Sequence, residues 1–195
     1  MAKLDTSIVD KAVVFAARKH SGDTRKGTKV PYIVHPMEAA AIVAGITVDQ
    51  EMIAAALLHD TLEDTDAKPA EIEELFGKRV LALVAEESED KRENEAPEST
   101  WTIRKQETLD RLENRADHET NILVLGDKLS NIRAMQRDLE AKGDELWERF
   151  NQKDPAMHGW YYREVARILG KDELLRDTQA YKEYAEIVNA VFGID

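Results

Sequence analysis

Met52-Ile53-Ala54-Ala55-Ala56-Leu57-Leu58-His59-Asp60-Thr61-Leu62-Glu63-Asp64 decides how the chain reads. Met52, Ala55, Ala56 and Leu58 recur at helical spacing, and two leucines anchor a helix end that runs straight into a histidine and three acids. If the helix continues, His59 stacks with Glu63 and Asp60 with Asp64, because side chains four residues apart share a face. That arrangement has two layers. The upper pair can bind a metal, and the lower carboxylates lie one turn away, near enough to move protons at a metal-activated water or a leaving group. The alternative is a solvated acidic helix end. The His-Asp dipeptide alone decides nothing: with five His and seventeen Asp, about 0.4 such pairs arise by chance.

Two other segments supply matching groups. In Pro31-Tyr32-Ile33-Val34-His35-Pro36, His35 precedes a proline suited to open a helix, so extended backbone and an inward-aimed ring are expected there. A buried histidine that merely caps this helix is the competing reading. In Ile122-Leu123-Val124-Leu125-Gly126-Asp127-Lys128-Leu129-Ser130-Asn131-Ile132, an aspartate interrupts a strongly apolar helix and Asn131 repeats on its face one turn later. Burying that carboxylate is costly without a cation or several donors.

Outward from these motifs the pattern stays helical, with no convincing alternating strand. The expected helices are a first from near Asp5 to the break at Ser21-Gly22-Asp23, then 36–44, 50–59 capped by Asp49, 69–76, 79–87, 100–115, 119–141, 144–150, 155–169 and 173–192. Residues 88–99, polar, charged and Pro-containing, read as a mobile loop. The expected fold is therefore all-α, a bundle of about eight to ten helices in one domain spanning 1–195.

The absence of cysteine excludes disulfides, thiolate metal sites and a thiol nucleophile, so any metal must be held by nitrogen and oxygen. Two His and two Asp suit a borderline or hard divalent ion such as Mn²⁺ or Fe²⁺, with Zn²⁺ a further option. A net charge of -12 argues against nucleic acid as a partner. Arg25, Lys26 and Lys29 before His35, with Lys128 after Asp127, supply a local basic group that can still hold a small polyanion. The longest apolar run, 52–58, is too short for a bilayer, so no membrane partner is expected and the cytoplasm is the expected compartment. His118 and Trp101, Trp147 and Trp160 read as structural.

The ordered set Arg-Lys-Gly, Pro-Tyr-Ile-Val-His-Pro, Ala-Leu-Leu-His-Asp-Thr-Leu-Glu-Asp-Thr and Leu-Gly-Asp-Lys-Leu-Ser-Asn-Ile resembles the HD phosphohydrolase superfamily, over about residues 10–170. More narrowly it is similar to the small alarmone hydrolases and the hydrolase domain of Rel/Spo-type enzymes. The C-terminal helix, 171–195, lies beyond the match. The resemblance implies one Mn²⁺ on His35, His59, Asp60 and Asp127, and Glu63 and Asp64 as catalytic carboxylates. It implies removal of the 3′-pyrophosphate from guanosine tetra- or pentaphosphate, or a related purine alarmone. Arg25 would pack against the purine, and Lys26, Asn131 and Tyr161 would contact the substrate; Lys128, beside Asp127, is a further substrate-binding candidate from its placement. Residues 86–104 depart from the family pattern where a phosphate contact is expected, leaving Arg104 and Lys105 as the nearest cations. Two other readings stay open: an HD-type phosphatase on a nucleoside monophosphate or NADPH, and a non-catalytic alarmone-binding module. Homo-oligomerisation is left open.

Overall fold

The computed structural model describes residues 5–88, 92, 94–115 and 117–193. The chain forms α1 (Ser7–Lys19), α2 (Val34–Ala44), α3 (Gln50–Leu58), the single turn α4 (Thr61–Asp64), α5 (Pro69–Phe76), α6 (Lys78–Glu87), α7 (Pro97–Arg115) and α8 (His118–Lys142). A 3₁₀ segment, Gly143–Arg149, then leads to α9 (Pro155–Leu169), the short α10 (Glu173–Arg176) and α11 (Gln179–Phe192). Among the described residues there is no strand, only an isolated antiparallel bridge between Thr24 and Pro31. The all-α expectation holds.

Local chemistry places the helix that carries the motif. Asp49 accepts hydrogen bonds from the backbone amides of Glu51 (2.9 Å) and Met52 (3.3 Å), satisfying two donors that open α3. Met52, Ala54, Ala55, Ala56, Leu57 and Leu58 are all buried, and the small alanines let α1, α2 and α6 close around α3. Full burial of each leucine contributes about 1.5–3 kcal/mol. α8 is the central helix, flanked by α2 and α11, and its first half is buried from Ile122 to Asp127 without interruption. That enclosure puts the Asp127 carboxylate in the interior.

Several boundaries differ from expectation for identifiable reasons. His35 lies inside the first turn of α2, not in extended backbone ahead of it, because Ile33 and the residues after it are already helical. Pro36 is tolerated there since first-turn amides need no intrahelical partner. The helix of 50–59 ends at Leu58, and the chain bends at His59-Asp60 before α4; the Asp64 amide still bonds the Asp60 carbonyl at 2.8 Å, so the one-turn relation between these acids survives. The single C-terminal helix of 173–192 is two, because the Thr178 hydroxyl caps a new start by accepting from the Tyr181 amide at 3.2 Å. Helix α7 begins at Pro97, within the stretch expected as a loop; residues 89–91 and 93 of that stretch lie outside the described residues. His118 is the first residue of α8 and not part of the turn before it; Trp101 and Trp147 are in the core, with Trp160 packed against it.

Gly126 is where α2 and α8 meet most closely. A Cβ there would stand 2.8 Å from Val43 Cγ2 and 3.1 Å from the Ala39 carbonyl oxygen. Val43 is fully buried and stiff at χ1, so it cannot yield cheaply. Gly126→Ala should therefore lower the urea unfolding free energy by about 1–2 kcal/mol, even though alanine gains about 1 kcal/mol as a helix former. Stability at or above the parent would show that the helices have room to part.

Candidate active site

Three long helices and one bend deliver four donor atoms to one point. His35 Nε2 comes from the first turn of α2, His59 Nε2 from the end of α3, Asp60 Oδ2 from the bend before α4 and Asp127 Oδ1 from mid-α8. His35 Nε2 lies 3.4 Å from Asp60 Oδ2 and 3.1 Å from Asp127 Oδ1. His59 Nε2 lies 3.0 Å and 3.7 Å from the same oxygens, and the two ring nitrogens are 3.2 Å apart. His35, His59 and Asp127 are 3%, 4% and 6% exposed.

Charge chemistry shows what this set requires. The His59 Nδ1 sits 2.8 Å from the Ala56 carbonyl oxygen, which can only accept, so the neutral ring keeps its hydrogen at Nδ1 and turns the Nε2 lone pair inward. Carboxylate oxygens beside it add further lone pairs in a buried place, which is unfavourable without a cation or a shared proton. Neighbouring donors around a small divalent ion at about 2.1 Å stand roughly 3.0–3.5 Å apart, close to the spacings found here. His35, His59 and Asp127 could hold a metal, and Asp60 Oδ2 lies beside both ring nitrogens.

Burial pushes the His59 imidazole down, but the Asp60 and Asp127 carboxylates outweigh it and hold it well above the usual histidine range. Burial opposes ionisation of Asp60 and Asp127, yet His59 beside the first and Lys128 beside the second hold both well below the usual carboxylate range.

A cleft of about 400 Å³ lies nearby, lined among others by Arg25, Lys26, Tyr32, Asp64, Asn131, Arg137 and Arg149. Tyr32 joins cleft and centre: its hydroxyl lies 2.7 Å from Asp60 Oδ2 and 2.9 Å from Asp64 Oδ2, donating to one at a time. The Arg25 guanidinium stands 5.6 Å from the Tyr32 ring and donates to Asn131 Oδ1 at 2.6 Å. Asn131 in turn donates to Asp127 Oδ1 at 2.5 Å. Lys26 donates to Asn151 Oδ1 at 2.7 Å, and Glu98 and Arg104 lie close enough to bear on its charge. The turn at Gly27, with φ +71°, lets this loop touch Arg149, whose Cβ and Cδ would each lie 2.9 Å from an added Cβ.

Glu63 is half-buried in α4 and Asp64 is exposed at the cleft edge. Lys128 bonds Asp127 Oδ2 directly. Tyr161 is 3% exposed, with Trp101 and Tyr162 against its ring and the Lys105 and Lys128 ammonium groups 5.0 Å and 6.0 Å from its centre. Lys29 is exposed. Sequence reasoning missed Tyr32, Arg137 and Arg149 as cleft residues. For Tyr32 the signal was its place one turn before His35. Arg149 offered none, since it arrives from the distant 3₁₀ segment. A small pocket is lined by Glu87, Arg111 and Lys128 among others. Glu87 as a residue is half-buried, but its Oε1 is sealed without a hydrogen-bond partner, and burial pushes the carboxyl up to about 7.

Helices that converge two histidines and two aspartates beside a basic cleft define the HD class of helical proteins. Residues 12–156 match the HD domain model, and the chain belongs to that family. It is 38% identical over 178 residues to a guanosine-3′,5′-bis(diphosphate) 3′-pyrophosphohydrolase, MESH1, of Xenopus tropicalis, covering 88% of this chain and 90% of that one. Over 76 residues, 39% of the chain, it is 50% identical to the guanosine-3′,5′-bis(diphosphate) 3′-pyrophosphohydrolase of Aquifex aeolicus, of which that match spans 11%. The chain thus covers only about a tenth of such longer bacterial relatives. A solved metazoan SpoT orthologue, described as hydrolysing ppGpp, superposes with a TM-score of 0.75 at 25% identity, covering 99% of this chain and 100% of that one.

Two outcomes follow from the electrostatics. Metal and protons compete for the same imidazole and carboxylate lone pairs, so affinity for a divalent ion should rise with pH; a pH-independent constant from competition titration would contradict the buried His/Asp centre. Glu87 has a folded pKa above its unfolded value, so its contribution to stability is full below about pH 4.5 and is lost as pH rises to about 7. Glu87→Gln should remove that slope and stabilise the protein on the order of 1–3 kcal/mol at pH 8 by chemical denaturation. An unchanged slope would place Glu87 in contact with water.

Proposed function

We propose that the chain hydrolyses the 3′-pyrophosphate of guanosine tetra- or pentaphosphate, or of a related purine alarmone, giving GDP or GTP plus pyrophosphate. A divalent ion, Mn²⁺ first among the candidates, is held by His35, His59, Asp60 and Asp127. The observation that carries this reading is the joining of the buried His/Asp centre to the cationic cleft through Tyr32, which touches Asp60 on one side and Asp64 on the other. The relatives whose names specify this activity support it.

A metal at the centre supplies Lewis acidity toward a water and a phosphoryl oxygen. The side chains do the rest. Arg25, backed by Tyr32 and steered by Asn131, offers a flat cation to a purine. Lys26, Arg137 and Arg149 line the cleft where a polyanion must lie, a local positive field in a chain whose net charge is -12. Lys128 neutralises the outer oxygen of Asp127. Glu63 and Asp64 move the protons: one leaves the attacking water as its oxygen bonds the 3′-linked phosphorus, and one reaches the ribose 3′-oxygen as the P–O bond breaks and pyrophosphate departs.

Incubating the protein with Mn²⁺ and guanosine tetraphosphate should yield GDP and pyrophosphate in equal amounts. Orthophosphate as the released product would instead make it a phosphatase. Glu63→Gln should cut kcat by about 10²–10⁴-fold while bound Mn²⁺ stays at the parent level; turnover equal to the parent would remove Glu63 from the mechanism.

A further inference from the structure

His35 is held from behind by a chain of hydrogen bonds that leaves the active site altogether. Its Nδ1 lies 2.8 Å from the Ser130 hydroxyl, and that hydroxyl donates to Glu38 Oε2 at 2.9 Å. The other Glu38 oxygen accepts from Arg133 Nη1 at 3.2 Å. Arg133 is gripped by both oxygens of Glu183 on α11, at 2.7 Å each. Ser130 is 1% exposed, so no water competes for its single proton.

The direction of these bonds has a chemical consequence. A hydroxyl has one hydrogen, and Glu38, an acceptor, takes it. Ser130 Oγ can then only accept from His35, which puts the ring hydrogen on Nδ1 and leaves the Nε2 lone pair facing Asp60 and Asp127. Arg133 and Glu183 pin the carboxylate that sets this polarity. The two histidines are thus oriented by different means: His59 by the backbone carbonyl of Ala56, which no substitution removes, and His35 by side chains alone. Glu183 lies on the C-terminal helix α11, outside residues 12–156 that match the family model.

We propose that Ser130 and Glu38 are positioning residues that lock His35 in its Nδ1–H tautomer and so set the affinity of the metal centre. The inference rests on the metal-site reading above. Its test uses the full-length protein labelled with ¹⁵N-histidine and loaded with Zn²⁺, a diamagnetic probe. The His35 ring nitrogens are read by NMR, and Zn²⁺ affinity by competition with a chelating dye. The parent should show a protonated Nδ1 on His35. Ser130→Ala should weaken Zn²⁺ binding by about 10-fold or more and lose the single-tautomer signature, while Ser130→Thr, which keeps the hydroxyl, should stay near the parent in both. Ser130→Ala binding within twofold of a zinc-binding parent, or an unprotonated Nδ1 in that parent, would overturn the relay and leave the metal site standing. A parent that binds no Zn²⁺ would overturn both.

Discussion

Two imidazole nitrogens and two carboxylate oxygens face one another in the interior of this protein, and most of its architecture follows from making that tolerable. Charges removed from water are costly unless paired at close range, so each of the four side chains must be delivered to a fraction of an ångström by something rigid. Helices α2, α3 and α8 provide that rigidity. Gly126 brings α2 against α8 directly beside Asp127, and the run of alanines in α3 allows neighbours to close on the helix that ends at His59. A cation at the centre would offset the cost of converging lone pairs, and the Asp60 and Asp127 carboxylates raise the proton affinity of His59 in spite of its burial.

Electrostatics also divides the molecule into working regions. The chain is acidic overall, yet Arg25, Lys26, Arg137 and Arg149 line one cleft. Tyr32 and Asn131 connect that cleft to the buried centre, the first through Asp60 and the second through Asp127. A ligand that draws on Arg25 therefore pulls on the same hydrogen-bond network that orients Asp127. Lys128 bonds Asp127 and also lines the small pocket that holds the sealed Glu87.

Much of the fold was legible because helix signals are local. Asp49 ahead of α3 and Pro155 opening α9 act within a few residues, and α5 and α9 fall where the pattern places them. The separation of α10 from α11 was hidden because Thr178 caps a helix in the middle of an unbroken amphipathic pattern. For the centre, the costly burial of a carboxylate at Asp127 and the spacing of His59 to Asp64 pointed to the side chains that converge. The cleft was less legible. Arg149 reaches it by a contact with Gly27, more than a hundred residues away in the chain. Such contacts are set by tertiary closure, which leaves no periodic trace.

The central claim is that one divalent ion sits between four named atoms. Crystals of the protein soaked in Mn²⁺ and measured for anomalous scattering near the manganese edge address it most directly. The account predicts a single strong peak at about 2.1–2.3 Å from His35 Nε2, His59 Nε2, Asp60 Oδ2 and Asp127 Oδ1. A peak bound elsewhere, such as at Asp64 and Asp138 on the cleft wall, or no peak among these four atoms, would contradict it.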